Sequence, residues 1–290
     1  NIMSWNICRE KGNAMKQKKK NLWRAVLAIS LAVLVCVLAY IVWYLYRDYE
    51  AEKKYEALQS MARETAEAET TPEAETDPEG KDGEAAELPD GIFQDLENPI
   101  DFKKLSEVNP EIYAWIRIPD TNIDYPIVQR EGDDTYYLTH DIYGEERVAA
   151  SIYTEDCNQK DFSDPNTVIY GHNMKNKSMF QNLHLFEDPD FFASNRYVYI
   201  YTPERSLVYE IFASYTYDDR HIMHSFDFTD REVYAQYLSD IFHVRSMDKN
   251  IREGVEVTAD DKIITLETCV GTGEKYRYVV QAVLLGEQES

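Results

Sequence analysis

Hydrophobic positions divide the chain into three stretches of different pattern. The first is Ala25 to Tyr46, 22 residues without a charge. At 1.5 Å per residue a helix of that length crosses a hydrocarbon core of roughly 30 Å, so the run predicts a membrane-spanning helix. A cleaved signal peptide would have an apolar region of only about 7 to 15 residues closing on small side chains. This run instead closes on Trp43-Tyr44-Leu45-Tyr46, an interfacial aromatic belt. The second stretch, residues 47–98, is rich in Glu, Ala and Thr and almost lacks large apolar side chains between Met61 and Leu88. It has too little to bury to offset ordering entropy, and predicts an acidic flexible linker. Its first turns, Tyr49 to Ala66, extend the helical pattern until Thr70-Thr71-Pro72 stops it.

The third stretch, residues 99–290, alternates like a sheet protein. From Ser106 to Ile118 the spacing passes from a short helix to strand alternation, and further strands are predicted at Ile123–Gln129, Ala150–Tyr153, Thr167–Tyr170, Tyr197–Tyr201, Leu207–Tyr217, Lys262–Cys269 and Tyr276–Leu285. Their β-branched and aromatic content predicts an all-β domain with added helices, its sheet closed into a barrel or stacked as a sandwich. One long helix interrupts it. Thr229 and Glu232 form a capping box, and Val233, Tyr234, Tyr237, Leu238, Ile241 and Phe242 share one face. A shorter helix is expected over Ser178 to Phe186.

Charge orients the first segment. Lys16, Lys18, Lys19, Lys20 and Arg24 precede the apolar run, whereas Arg47 is mixed with Asp48, Glu50 and Glu52 after it. The positive-inside rule places residues 1–24 in the cytoplasm, the span at 25–46, and everything beyond it outside the cell. Met15 stands directly before the basic cluster, and residues 1–14 carry no weight in this reading. A formal charge of -23 leaves no basic stripe for phosphate backbones, which sets nucleic acid aside as a partner. Four cysteines are too few for a disulfide scaffold, and the topology leaves only Cys157 and Cys269 outside. Cys157 reads as a small buried apolar residue.

Cys269 is different because it ends an apolar strand, Thr265-Leu266-Glu267-Thr268-Cys269, beside the glycine-rich turn Val270-Gly271-Thr272-Gly273. A thiol so placed is presented to solvent, as a nucleophile must be. Of six histidines, His172 alone follows a strand end and a glycine, in Tyr170-Gly171-His172-Asn173. His140, His184, His221, His224 and His243 lie in turns, polar loops or helices, where a solvated or structural imidazole is the default. Arg277 opens the strand after Cys269, and a hairpin would set it beside the thiol, able to stabilise an oxyanion. No metal-ligand cluster is visible in the sequence, and acyl transfer through a thiol needs neither metal nor cofactor.

The segments YGHNMKNKSMF, TLETC and YRYVV resemble the His, Cys and Arg motifs of sortases, specifically class B. The resemblance extends upstream through NPEIYAWIRIPDTNIDYPIVQ, YYLTHDIYG and AASIY, and the long helix falls where class B enzymes carry an extra one. It implies a closed eight-stranded β-barrel and a membrane-anchored cysteine transpeptidase of a Gram-positive surface. Such an enzyme cleaves a C-terminal sorting signal of secreted proteins through a thioacyl-enzyme and transfers them to an amine of a peptidoglycan precursor. Pilin polymerisation and simple hydrolysis are the alternatives the same residues allow. By the match Cys269 is the nucleophile, His172 the acid and base, and Arg277 the oxyanion partner, with Glu267, Thr268 and Asn173 expected near substrate. Glu267 departs from the family, which commonly has a small hydroxyl residue there. Strand alternation puts Glu267 on the face of Cys269, so it is expected either to pair with Arg277 or to read a polar feature of the substrate.

Overall fold

The computed structural model describes residues 2–63, 96–271 and 275–290. Most of the expected linker, and the Pro72 helix stop within it, lies outside these residues. Helix α1 runs over Ile2–Arg63. The chain divides into two compact units, residues 1–57 and 58–290. In the first, Val26, Leu27, Val35 and Leu38 are exposed side chains on a helix long and apolar enough to cross a membrane. The Arg47 guanidinium lies over the rings of Trp43 and Tyr44 at its aromatic end.

The second unit begins on the last turns of α1. Leu58 and Ala62 are buried, and Gln59 Nε2 donates to the Asp124 carbonyl at 2.7 Å. The Arg63 guanidinium pairs with the Asp124 carboxylate, which also accepts from Trp115 Nε1 at 2.7 Å. Helix α2 follows over Phe102–Val108, capped by the Asp101 side chain.

The strands are β1 (Ile112–Arg117), β2 (Asp124–Val128), β3 (Ile152–Tyr153), β4 (Asn166–Tyr170), β5 (Tyr197–Tyr201), β6 (Arg205–Asp218), β7 (Asn250–Ile251), β8 (Ile263–Cys269) and β9 (Tyr276–Glu289). Their order is β5-β1-β2-β3-β4-β8-β9-β6, and pairing of β6 back onto β5 closes an eight-stranded barrel, with two-residue β7 appended to β6. Closure decides between the barrel and the sandwich that the pattern left open, and it removes the exposed edges of an open sheet. Strand β9 outruns its expected end at Leu285 because its C-terminal half pairs with the start of β6, Arg205 opposite Glu289.

Three helices lie between strands: α3 (Pro189–Ser194), α4 (Ile222–Ser225) and α5 (Arg231–Phe242). Helix α5 buries Tyr234, Tyr237, Leu238 and Ile241 against Val168, Ala213, Tyr215, Ile263, Val279 and Val283 of the sheet. Its cap is Asp230, whose carboxylate accepts from the backbone N–H groups of Glu232 and Val233. Thr229, the expected cap, donates its hydroxyl to Asp227 instead. A carboxylate gains more at a helix N-terminus than a hydroxyl, because it meets the dipole as well as the free N–H groups. The helix expected over Ser178–Phe186 is a tighter 3₁₀ turn over Phe180–Glu187. Met179 adopts φ +55°, outside the helical region, so the turn begins only at Phe180, whose N–H donates to the His172 carbonyl.

Candidate active site

Register at one end of the barrel aligns the chemistry. Strands β4 and β8 run parallel with Tyr170 opposite Glu267; β8 and β9 are antiparallel with Glu267 opposite Val279 and Cys269 opposite Arg277. On β6, Tyr215 faces Val279 and Tyr217 faces Arg277. Side chains alternate faces, so Glu267, Cys269, Arg277 and Tyr217 share the outer face that α5 covers farther along the sheet. Beyond Tyr170 the pairing continues through Gly171 N donating to the Glu267 carbonyl at 3.1 Å. Two residues past Tyr170 and two past Glu267, His172 and Cys269 therefore occupy the same level of the barrel rim.

Gly171 is what permits this approach. A Cβ there would stand 2.5 Å from Ile152 Cδ1 and 2.6 Å from Phe180 Cγ. Gly171→Ala is expected to cost about 1–3 kcal/mol of stability through overpacking. By displacing His172 it should also lower kcat/KM on the order of 10²-fold. A thermal melt together with steady-state kinetics checks both, and a wild-type rate in the variant would mean that Gly171 does not place His172.

Backbone contacts fix the histidine. His172 Nε2 lies 2.8 Å from the Leu138 carbonyl oxygen, which can only accept, so Nε2 carries a proton and Nδ1 is left as the exchangeable nitrogen. Asn173 does not point outward to a ligand; its Nδ2 donates to the Cys269 carbonyl at 2.8 Å. It thereby ties the His and Cys segments together. His184 completes this support. Its Nδ1 donates to the Glu187 carboxylate at 2.6 Å, so its Nε2 accepts from Asn173 Nδ2 at 3.0 Å, and its ring stacks on Tyr278. The sequence hid this role because His184 sits 85 positions from Cys269 in a helical turn.

Arg277 Nε is 3.2 Å from Glu267 Oε1, so the expected pairing is present. Glu267 is buried, with its second oxygen without a hydrogen-bond partner. Burial pushes its carboxyl up to about 7, against the opposing pull of Arg277 and His221. Thr268 is also buried, and by alternation it lies on the opposite face of β8 from the thiol, beside Tyr278. The turn after Cys269 closes through Val270 N donating to the Tyr276 carbonyl at 3.2 Å, with Gly271 at φ +59°. Thr272 and Gly273 lie outside the described residues.

The sortase domain model matches residues 116–285. The chain belongs to the sortase family. Its relatives place it in class B. Sortase B of Listeria monocytogenes is 35% identical over 193 residues, 64% of this chain and 74% of that protein. Sortase B of Staphylococcus aureus is 28% identical over 170 residues, covering 58% and 67%. Among solved structures, sortase B of Bacillus anthracis in complex with AAEK1 superposes with a TM-score of 0.63 at 31% identity, covering 83% of this chain and 98% of that one. Clostridium perfringens sortase B gives 0.58 at 33%, covering 64% and 100%. The closed eight-stranded barrel is thus the sortase barrel, and the family's activity is cysteine transpeptidation.

Two readings of single residues change with the sortase fold in place. Cys157, expected to be buried, is exposed in the connection after β3. Partial desolvation and the carboxylates of Glu155, Asp134 and Asp156 push its thiol up to about 11, so it is poorly suited to nucleophilic work. His221 and His224 stack on one another with ring centroids 3.9 Å apart; His224 is exposed as expected, whereas His221 is half-buried and its Nε2 meets Glu155 Oε2 at 2.7 Å.

Proposed function

We propose that this sortase cleaves a C-terminal sorting signal of secreted proteins at the outer surface of a Gram-positive cell and transfers them to an amine of a peptidoglycan precursor. In this reading residues 1–24 lie in the cytoplasm, 25–46 span the membrane, and the acidic segment tethers the barrel outside. The observation that carries the chemistry is the shared barrel level of His172, Cys269 and Arg277, on one face of neighbouring strands.

In the reaction the Cys269 thiol passes its proton to His172 Nδ1 as its sulfur attacks the scissile carbonyl carbon, and a tetrahedral oxyanion forms. The Arg277 guanidinium stabilises that charge with N–H groups not engaged by Glu267, and supplies it without reorganisation. As the C–N bond breaks, His172 Nδ1 gives a proton to the departing amine, leaving a thioester on Cys269. An incoming amine then attacks the thioester, His172 takes its proton, and the thiol is released. Nε2 keeps its proton on the Leu138 carbonyl throughout, which holds the ring in one orientation. Asn173, itself held by His184, donates to the Cys269 carbonyl, so the backbone under the nucleophile does not rotate. Glu267 keeps the Arg277 fork in place between turnovers and lies on the substrate's side of β8.

The test is mass spectrometry of the chain incubated with a library of candidate sorting signals, with and without an added amine. The expected result is an acyl-enzyme on Cys269 that amine converts to a new amide. Release by water alone at the same rate would instead make the chain a hydrolase, and joining of pilin-type lysine donors would make it a polymerase.

A further inference from the structure

Apart from the catalytic residues, the fold gathers among the described residues one cluster of metal-ligating side chains. Glu155 lies in the connection after β3, His221 caps α4 and His224 lies within it. One donor atom from each lies within 4.8 Å of the other two. We propose that Glu155, His221 and His224 bind a divalent transition-metal cation, Zn²⁺ by their chemistry, which clips the β3–β4 connection to α4.

The donor set is two imidazoles and one carboxylate. Such nitrogen and oxygen ligands suit a borderline cation that accepts four-coordination, whereas Ca²⁺ and Mg²⁺ require more oxygens. Tetrahedral zinc with bonds of about 2.0–2.1 Å holds its ligand atoms about 3.3 Å apart. His221 Nε2 and Glu155 Oε2 are already 2.7 Å apart, and rotation of the exposed His224 side chain closes the remaining gap.

The surroundings favour a cation. Asp134 and Asp156 add negative charge beside Glu155, and buried Glu267 feels both Glu155 and His221. The two ligands that meet directly are half-buried, with the Glu155 side chain 14% exposed and that of His221 32%. Neither is a freely solvated surface group. Without a cation, His221 Nε2 donates its proton to Glu155 while Nδ1 accepts the His224 backbone N–H at a long 3.3 Å. The cation takes the place of the Nε2 proton, which either leaves or moves to Nδ1 at the cost of that weak contact.

Zinc titration by calorimetry of the full chain in detergent, stripped of metal, tests the site. Carrying Cys157→Ser and Cys269→Ala removes the thiols of the barrel domain as competing ligands. One equivalent of Zn²⁺ is expected to bind and raise the thermal midpoint. Glu155→Gln and His224→Ala should each weaken binding at least about tenfold and abolish the Zn²⁺-dependent rise, while melting as cooperatively as the parent without metal. Unchanged affinity in both variants would mean that zinc binds elsewhere. No Zn²⁺-dependent shift in the parent would overturn the site outright.

Discussion

Cys269→Ala is expected to reduce acyl-enzyme formation and amide exchange on the order of 10⁴-fold or more, to the level of a blank without enzyme. The size follows from the chemistry. Alanine keeps the barrel rim, the Arg277 fork and the His172 imidazole but has no atom that can form the thioester. Among the described residues of the barrel no other thiol stands in register with His172 and Arg277, since Cys157 belongs to a different connection and its thiol is pushed up by desolvation and then by its acidic neighbours. His172→Ala should fall nearly as far, because Cys269 and His172 act as a unit and removing either disables both steps. Arg277→Lys separates charge from geometry: a point charge replaces a planar fork that must hold Glu267 and meet an oxyanion together. Its loss should therefore appear in kcat and persist at saturating substrate. Mass spectrometry for the thioester and single-turnover kinetics for the three variants give the comparison. Cleavage by Cys269→Ala at the wild-type rate would end the assignment of the nucleophile.

Local features of this chain were legible where one residue type has one physical use. The uncharged run forms a helix long and apolar enough to cross a membrane, the positions of most strands agree within a few residues, and Gly171 read as a point of close backbone approach. The pairing of Glu267 with Arg277 was accessible from alternation and the short hairpin alone. What the sequence left open was set by contacts between distant segments. Barrel closure depends on β5 meeting β6 from the far end of the sheet order. His184, Leu138 and Asn173 act on the His and Cys segments across 34 to 96 positions of chain. The exposure of Cys157 and the gathering of Glu155 with His221 arise from where the β3–β4 connection and α4 come to rest, which periodicity does not encode. The capping error at Thr229 was local: two capping residues stood side by side, and the carboxylate won.

Glu267→Gln is expected to flatten the alkaline loss of stability of the barrel. The Glu267 carboxyl is raised from 4.5 to about 7, chiefly by burial, so the folded state favours its neutral form. Below pH 4.5 the group is neutral in the folded and unfolded chains alike, and it carries no penalty. As pH rises from 4.5 towards 7 the unfolded chain releases this proton while the folded chain retains it, and stability declines. Above 7 the carboxylate is ionised in both states, and the full cost of burying it, about 3 kcal/mol, is present. Arg277 reduces that cost through its contact with Oε1, but Oε2 has no hydrogen-bond partner to reduce it further. Glutamine has the same shape, accepts from Arg277 and never ionises, so the variant should match wild type near pH 4.5 and exceed it by up to about 3 kcal/mol at pH 8. Urea unfolding of the detergent-solubilised chain with a chelator present, followed by near-UV circular dichroism, measures the difference. Parallel curves for variant and wild type from pH 4.5 to 8 would show that Glu267 does not titrate in this range. A buried carboxylate on the face of Cys269 is thus a stability cost that a neutral side chain avoids, and the contact with Arg277 offsets part of it.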